Sequence, residues 1–131
     1  MTDQARAASF SRNRMIAYWV ITALVATEAV AGGVSDLLRL PYVVEILRHL
    51  GYPAYFPFIL GVWKLFGAVA VVVPRYPRLK EWAYAGMFFN YTGAVASHLA
   101  VGDSVGALLP PIIFASLVVA SWALRPLARR L

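Results

Sequence analysis

The sequence predicts an all-α membrane protein, an antiparallel four-helix transmembrane bundle with a short interfacial helix in the first outer loop. Hydrophobic residues make up 61% of the 131 residues and charged residues only 14%, well below the roughly 25% charge of an average soluble domain. The apolar residues form four continuous runs, at about 15–35, 55–73, 82–101 and 105–124. A helix needs about 20 residues to cross the hydrocarbon core, and continuous runs favour helices over an alternating β-barrel pattern.

The first run follows a polar, basic segment at residues 1–14, which is expected to be mobile and to lie outside the helices. A signal peptide would combine a short apolar core with a small-residue cleavage site. The run from Met15 is longer than such a core, and three more runs follow it. The sequence therefore predicts a retained first span, with residues 15–124 forming one transmembrane domain.

The outer loop before the second run contains apolar residues at helical spacing: Val43, Ile46, Leu47 and Leu50. Pro41 suits a first helical residue and Gly51 suits a position just past the end. This pattern predicts a short amphipathic helix at the membrane interface, either as a lid on the bundle or as a simple connector.

Two features distinguish the end of the chain. Pro110 and Pro111 interrupt the fourth run and predict a kink there or a regular helix that begins near them. Residues 125–131 form a basic tail.

The basic residues predict the topology. Nine of the twelve lysines and arginines flank the runs in three segments that four spans place on one side: Arg6, Arg12, Arg14, Arg75, Arg78, Lys80, Arg125, Arg129 and Arg130. The positive-inside rule then puts both termini in the cytoplasm. The net charge of +6 is explained by this topology, and nucleic-acid binding has no support.

Three ionisable residues lie within the apolar runs: Glu28, Lys64 and His98. A charge near the bilayer centre costs about 2.5–3.5 kcal/mol on insertion scales, so it is normally paired or functional. At about 1.5 Å rise per residue, all three fall in one layer between the midplane and the outer face. Asp36 and Asp103 are predicted at the outer rim.

Glu28 and His98 are the candidate catalytic residues, as proton donor, acceptor or relay. Lys64, Asn90, Tyr91 and Ser97 are the candidate ligand-binding residues, because they occupy the same runs. In the competing interpretation, Glu28 and Lys64 form a structural ion pair that fixes helix packing. The chain has no cysteine, which excludes thiolate chemistry, and no metal site is predicted because a single intramembrane histidine is too few ligands.

Several motifs together are similar to those of the DoxX-like family of small four-helix bacterial membrane proteins. They are LGYPAYF from Leu50, ILGVWKLFGAVAVVVPRYPRLKEWAYAGMFF from Ile59, and GAVASHLAVGD from Gly93. With Glu28 in the first run, the resemblance covers about residues 15–124. It implies a bacterial inner-membrane location, and it implies the fold more than an activity, because most members have no assigned activity. A few relatives are linked to quinone reduction or oxidative-stress assemblies.

Two functions follow from the residues and the resemblance. One is a membrane protein whose outer-half polar cavity binds a small apolar or quinone-like molecule, with quinone or haem as possible cofactors and other membrane or redox subunits as possible partners. The alternative is a non-catalytic subunit or scaffold with the Glu28–Lys64 pair as a structural element. A transporter or proton channel is disfavoured, because the cytoplasmic halves of the runs carry almost nothing ionisable.

Overall fold

The protein is all-helical. The computed structural model describes residues 2–131, and within that range it contains five α-helices, one 3₁₀ turn at Leu127–Arg129 and no β-strand. The helices are α1 Asp3–Leu37, α2 Pro41–His49, α3 Phe56–Val72, α4 Pro77–Ala100 and α5 Val105–Leu124. The all-α prediction is therefore confirmed.

Helix α1 begins about three turns before the predicted start at Met15. Thr2 caps it, since its hydroxyl accepts a hydrogen bond from the Ala5 amide at 3.3 Å, and Asp3 in the first turn complements the helix dipole. The expectation of a mobile segment at residues 1–14 was wrong for the residues that the structure describes. Hydropathy marks where a helix becomes apolar, whereas capping and helix-forming residues decide where it begins.

The other helices follow the predicted runs more closely. Helix α2 has Pro41 in its first turn, and Gly51, at φ +87°, lies just beyond its end. Helix α4 starts at Pro77, before the apolar run at 82, because its first turns carry the charged residues of the connection. Helix α5 accommodates Pro110 and Pro111 in its second turn and begins at Val105, ahead of both prolines.

Two helices are long and apolar enough to cross a membrane by length and composition, α1 and α5. Helix α3 is apolar but has 17 residues, a length at the short end of the spanning range. Large apolar side chains cover much of the outer surface, among them Trp63, Trp82 and Phe89, which are 69–77% exposed. Contiguous exposed apolar surface of this kind is rare on soluble monomers and marks contact with lipid or protein.

The four long helices contact one another in a closed order: α1 packs against α3 and α5, and α4 packs against α3 and α5. The short α2 packs against α3. The central core is made of small and apolar residues from all four long helices, including Val25, Val71, Met87 and Val118.

One end of the helices is held by cations that bond to backbone carbonyls. The Lys80 ammonium is fully buried and donates to the Ala70 carbonyl at 2.8 Å and to the Val73 carbonyl. Arg129 donates to the Val72 carbonyl at 3.1 Å. These cations satisfy the free carbonyls at the C-terminus of α3 and oppose its dipole, so residues interpreted from the sequence as topology signals also fix the packing of this end.

Candidate functional site

Lys64 forms its ion pair with Asp36. Its ammonium nitrogen lies 2.8 Å from Asp36 Oδ2, and the Asp36 side chain is almost completely buried. Glu28 lies outside ion-pair distance of Lys64, although both side chains lie next to Gly32. A Cβ on Gly32 would lie 3.1 Å from Glu28 Oε1 and 3.3 Å from Lys64 Nζ. The expected Glu28–Lys64 ion pair is thus replaced by an Asp36–Lys64 pair with Glu28 beside it.

Glu28 has a partner from α4. The Tyr91 hydroxyl donates a hydrogen bond to Glu28 Oε2, and Tyr91 is 6% exposed. Its ring stacks on Phe114 of α5, with centroids 5.6 Å apart. Tyr91 therefore links the carboxylate of α1 to both α4 and α5.

Two glycines bring α1 and α3 close enough for this cluster to form. A Cβ on Gly61 would lie only 2.7 Å from the Gly33 carbonyl oxygen and 2.7 Å from Leu37 Cγ. A Cβ on Gly33 would in turn lie 3.1 Å from the Gly61 carbonyl oxygen. Small residues at a crossing allow helix backbones to approach closely in a membrane. This crossing lies beside the Asp36–Lys64 pair.

A groove of about 550 Å³ runs between α3 and α4. Its walls are mostly apolar and aromatic, and the polar side chains that line it come from Lys64, Asn90 and Tyr91. Asn90 is half-buried and makes no side-chain hydrogen bond within residues 2–131. The structure thus brings three of the four predicted ligand-binding residues to one groove, with Glu28 behind Tyr91.

The groove extends away from the end of the molecule that the sequence analysis assigned to the outer face. It reaches from Leu60 and Asn90 to Ala70 and Leu79, near the C-terminus of α3 and the N-terminus of α4. The cavity was predicted in the outer half of the membrane, whereas the groove extends toward the opposite end of the helices. The predicted depth of the cavity depends only on where polar residues lie in the apolar runs. The space between two helices depends instead on the small and aromatic side chains that face each other.

His98 and Ser97 belong to a different cluster. His98 Nδ1 lies 2.6 Å from Asp103 Oδ2, and His49 Nε2 lies 2.7 Å from Asp103 Oδ1. Both hydrogen bonds lower the pKa of Asp103 below its ordinary value. Ser97 makes a 2.6 Å hydrogen bond with the Tyr52 hydroxyl. These contacts connect the end of α2 and the loop that follows it to the end of α4. His98 and Glu28 therefore belong to separate clusters, although their predicted depths are similar.

A buried hydroxyl layer was missed by the sequence analysis. Thr22 and Ser121 are 2.6 Å apart, and the Tyr84 hydroxyl is 2.8 Å from Ser121. All three side chains are buried. The sequence signal was the seven-residue spacing of Tyr84 and Tyr91, which puts both on one face of α4. Between these two levels the core is apolar, so the hydroxyl layer and Glu28 share no continuous hydrogen-bonded path.

No group of three or more histidine, aspartate or glutamate residues in the described range 2–131 has the arrangement of a metal site. The polar chemistry of the groove is that of an ammonium, an amide and a phenol: Lys64, Asn90 and Tyr91. All three groups can donate a hydrogen bond to an acceptor atom, and the amide and the phenol can also accept one.

The fold and the site define a class: an all-helical protein with membrane-length apolar helices and a buried carboxylate–lysine cluster. The family model for the DoxX-like family matches residues 20–121, and the chain belongs to that family. DoxX-like proteins are membrane proteins, in agreement with the apolar surface and the two long apolar helices.

Among known proteins, the chain is similar to an uncharacterized protein, YdgD, of Bacillus subtilis strain 168. The two are 31% identical over 77 residues, which cover 57% of this chain and 67% of the relative. No solved structure matches the chain.

Proposed function

We propose that this protein is an inner-membrane protein that binds a small, lipid-soluble, quinone-like molecule in the groove between α3 and α4. The single observation that carries the proposal is the placement of two hydrogen-bond donors, Lys64 and Asn90, in an otherwise apolar and aromatic groove. Ligand sites are typically apolar clefts with a few polar groups that fix orientation. A ring with carbonyl oxygens offers an acceptor to the Asn90 amide, which has no partner within residues 2–131, and to a remaining N–H of Lys64, whose ammonium already pairs with Asp36.

The charges beside the groove favour a neutral acceptor over an anion. Lys64 is already paired with Asp36, and Glu28 lies next to both. The ammonium is therefore already neutralised by a carboxylate, and an anionic ligand would find no free positive charge there. Tyr91 connects the groove to Glu28, which supports a role for Glu28 in moving a proton if the ligand changes its redox state within a larger complex.

The proposal includes the topology. We infer an antiparallel four-helix transmembrane bundle made of α1, α3, α4 and α5, with α2 at the outer interface and both termini in the cytoplasm. The closed packing order of the four helices supports it, as does the concentration of lysine and arginine at one end.

The absence of cysteine makes the topology directly testable. An impermeant maleimide should label Glu45→Cys, on α2, in intact cells and should label Ala8→Cys, in the first turns of α1, only after lysis. The reverse pattern would overturn the proposed orientation.

Ligand binding can be measured through the tryptophans. Trp63 and Trp82 line the groove, so a short-chain benzoquinone added to the purified protein in micelles should quench their fluorescence. Asn90→Leu removes the unpartnered donor and is expected to weaken quenching several-fold, in line with about 0.5–1.5 kcal/mol for a hydrogen bond. Thr92→Val is the matched control, because the Thr92 hydroxyl bonds to the Phe88 carbonyl of its own helix.

Equal quenching of the wild type and Asn90→Leu, with both proteins folded, would refute the binding site. The scaffold interpretation would then account for the cluster, since the Asp36–Lys64 pair and the glycine crossing fix α1 against α3.

A further inference from the structure

We propose that the groove between α3 and α4 also holds one chain of an anionic phospholipid from the cytoplasmic leaflet, whose phosphate is bound by Arg75 and Arg78. This inference rests on the proposed function, because it uses the same groove and the same topology. It adds a second kind of ligand, recognised at the opposite end of the groove from Lys64 and Asn90.

The length of the groove matches one leaflet. Along α4 its lining residues extend from Leu79 to Tyr91, which is about 18 Å of helix at about 1.5 Å per residue. The hydrocarbon core is about 30 Å thick, so one leaflet contributes about 15 Å. A groove that begins at the interface and ends near the midplane fits a lipid chain laid along the helices.

The walls suit a hydrocarbon chain. Most lining side chains are apolar, and several of them are aromatic and strongly exposed: Trp63, Phe66, Trp82 and Phe89. Trp82 lies one turn beyond Arg78 at the interfacial end, where tryptophan is favoured. The groove is therefore a surface that lipid contacts from the side.

Two arginines lie shortly before Leu79, the first residue of α4 that lines the groove. Arg75 and Arg78 are exposed, and within residues 2–131 neither donates a hydrogen bond nor pairs with a carboxylate. The nearby carboxylate, Glu81, is taken by Arg125 at 2.5 Å and by the Trp122 indole at 2.8 Å. Two neighbouring basic residues differ in this respect, because Lys80 and Arg129 donate to backbone carbonyls at the C-terminus of α3.

Unpaired guanidinium groups next to a groove as long as a lipid acyl chain favour phospholipids whose headgroup carries a net negative charge. Arginine binds phosphate through paired N–H donors, and basic residues at the cytoplasmic face attract anionic lipid. A zwitterionic headgroup of the same size gives no net attraction. The expected preference for the anionic lipid is on the order of tenfold at low salt, falling as salt is added.

The test uses the full-length protein in phosphatidylcholine vesicles that contain a fixed small fraction of lipid brominated on its acyl chains. Brominated phosphatidylglycerol is expected to quench the two groove tryptophans, Trp63 and Trp82, more strongly than brominated phosphatidylcholine. The double variant Trp63→Phe with Trp82→Phe should remove most of that difference. The double variant Arg75→Gln with Arg78→Gln should abolish the preference. Arg6→Gln with Arg12→Gln is the matched control, since these exposed arginines of α1 lie outside the groove.

Equal quenching by the two lipids would overturn the inference, and so would equal loss of preference in both arginine double variants. Displacement of the brominated lipid by soluble glycerol phosphate would show an anion site without a lipid chain, and would also refute it. The benzoquinone measurement keeps the two proposals apart. If quinone quenching persists while the lipid preference is missing, only the lipid site fails; if both are missing, the groove itself is not a binding site.

Discussion

Removal of the Lys64 charge should strand a buried carboxylate. Asp36 is 4% exposed, and its charge partner in the described chain is Lys64, 2.8 Å away. Breaking a buried ion pair from one side costs about 3–5 kcal/mol, whereas replacing both partners is often close to neutral. We therefore expect Lys64→Met to lower the free energy of unfolding by about 3–5 kcal/mol, and Lys64→Met with Asp36→Asn to recover most of it.

The assay is reversible unfolding in mixed micelles, with a double-mutant cycle for each candidate pair. The coupling energy between Lys64 and Asp36 should be the larger one. The coupling between Lys64 and Glu28 should be smaller, because Lys64→Met with Glu28→Gln still leaves Asp36 without its cation. A larger coupling for Lys64 with Glu28 would refute the assignment and restore the pair predicted from the sequence.

Three further predictions concern neighbouring contacts. Tyr91→Phe removes the donor to Glu28 and should cost about 1–3 kcal/mol of unfolding free energy; unchanged stability would contradict the contact. Gly61→Ala forces a Cβ against the Gly33 carbonyl and should cost about 1–3 kcal/mol, which the same unfolding assay measures; a neutral result would rule out the close crossing. Hydrogen bonds lower the folded-state pKa of Asp103 below 3.8, so its contribution is present above about pH 4 and is lost as the pH falls through the folded pKa. Asp103→Asn should flatten the fall of the thermal midpoint on acidification, and parallel acid profiles for both proteins would disprove this.

The helices were largely predictable from the sequence because each depends on a local pattern. The apolar run at 105–124 coincides with α5, and the amphipathic spacing around Val43 coincides with α2. The extension of α1 to Asp3 was not visible in hydropathy, because polar residues with good helix propensity look like a loop on that measure.

The partner of Lys64 was not predictable, because it depends on how α1 crosses α3. Side chains on a helix lean toward its N-terminus, and for α3 this is the direction of Asp36. The position of Asp36 along α3 is set by the crossing of Gly33 and Gly61, which the sequence shows only as small residues. The position and the apolar walls of the groove were not predicted for a similar reason, since the walls come from two helices at once.

The glycine crossing has a mechanical consequence. Backbones in direct contact at Gly33 and Gly61, locked by the Asp36–Lys64 pair, leave α1 and α3 no room to slide or separate. Helix α4 packs less extensively on α3 than on α5, because the groove lies between α3 and α4. We therefore expect any widening that admits a bulky molecule to move α4 away from α3, which would stretch the Tyr91–Glu28 hydrogen bond between α4 and α1.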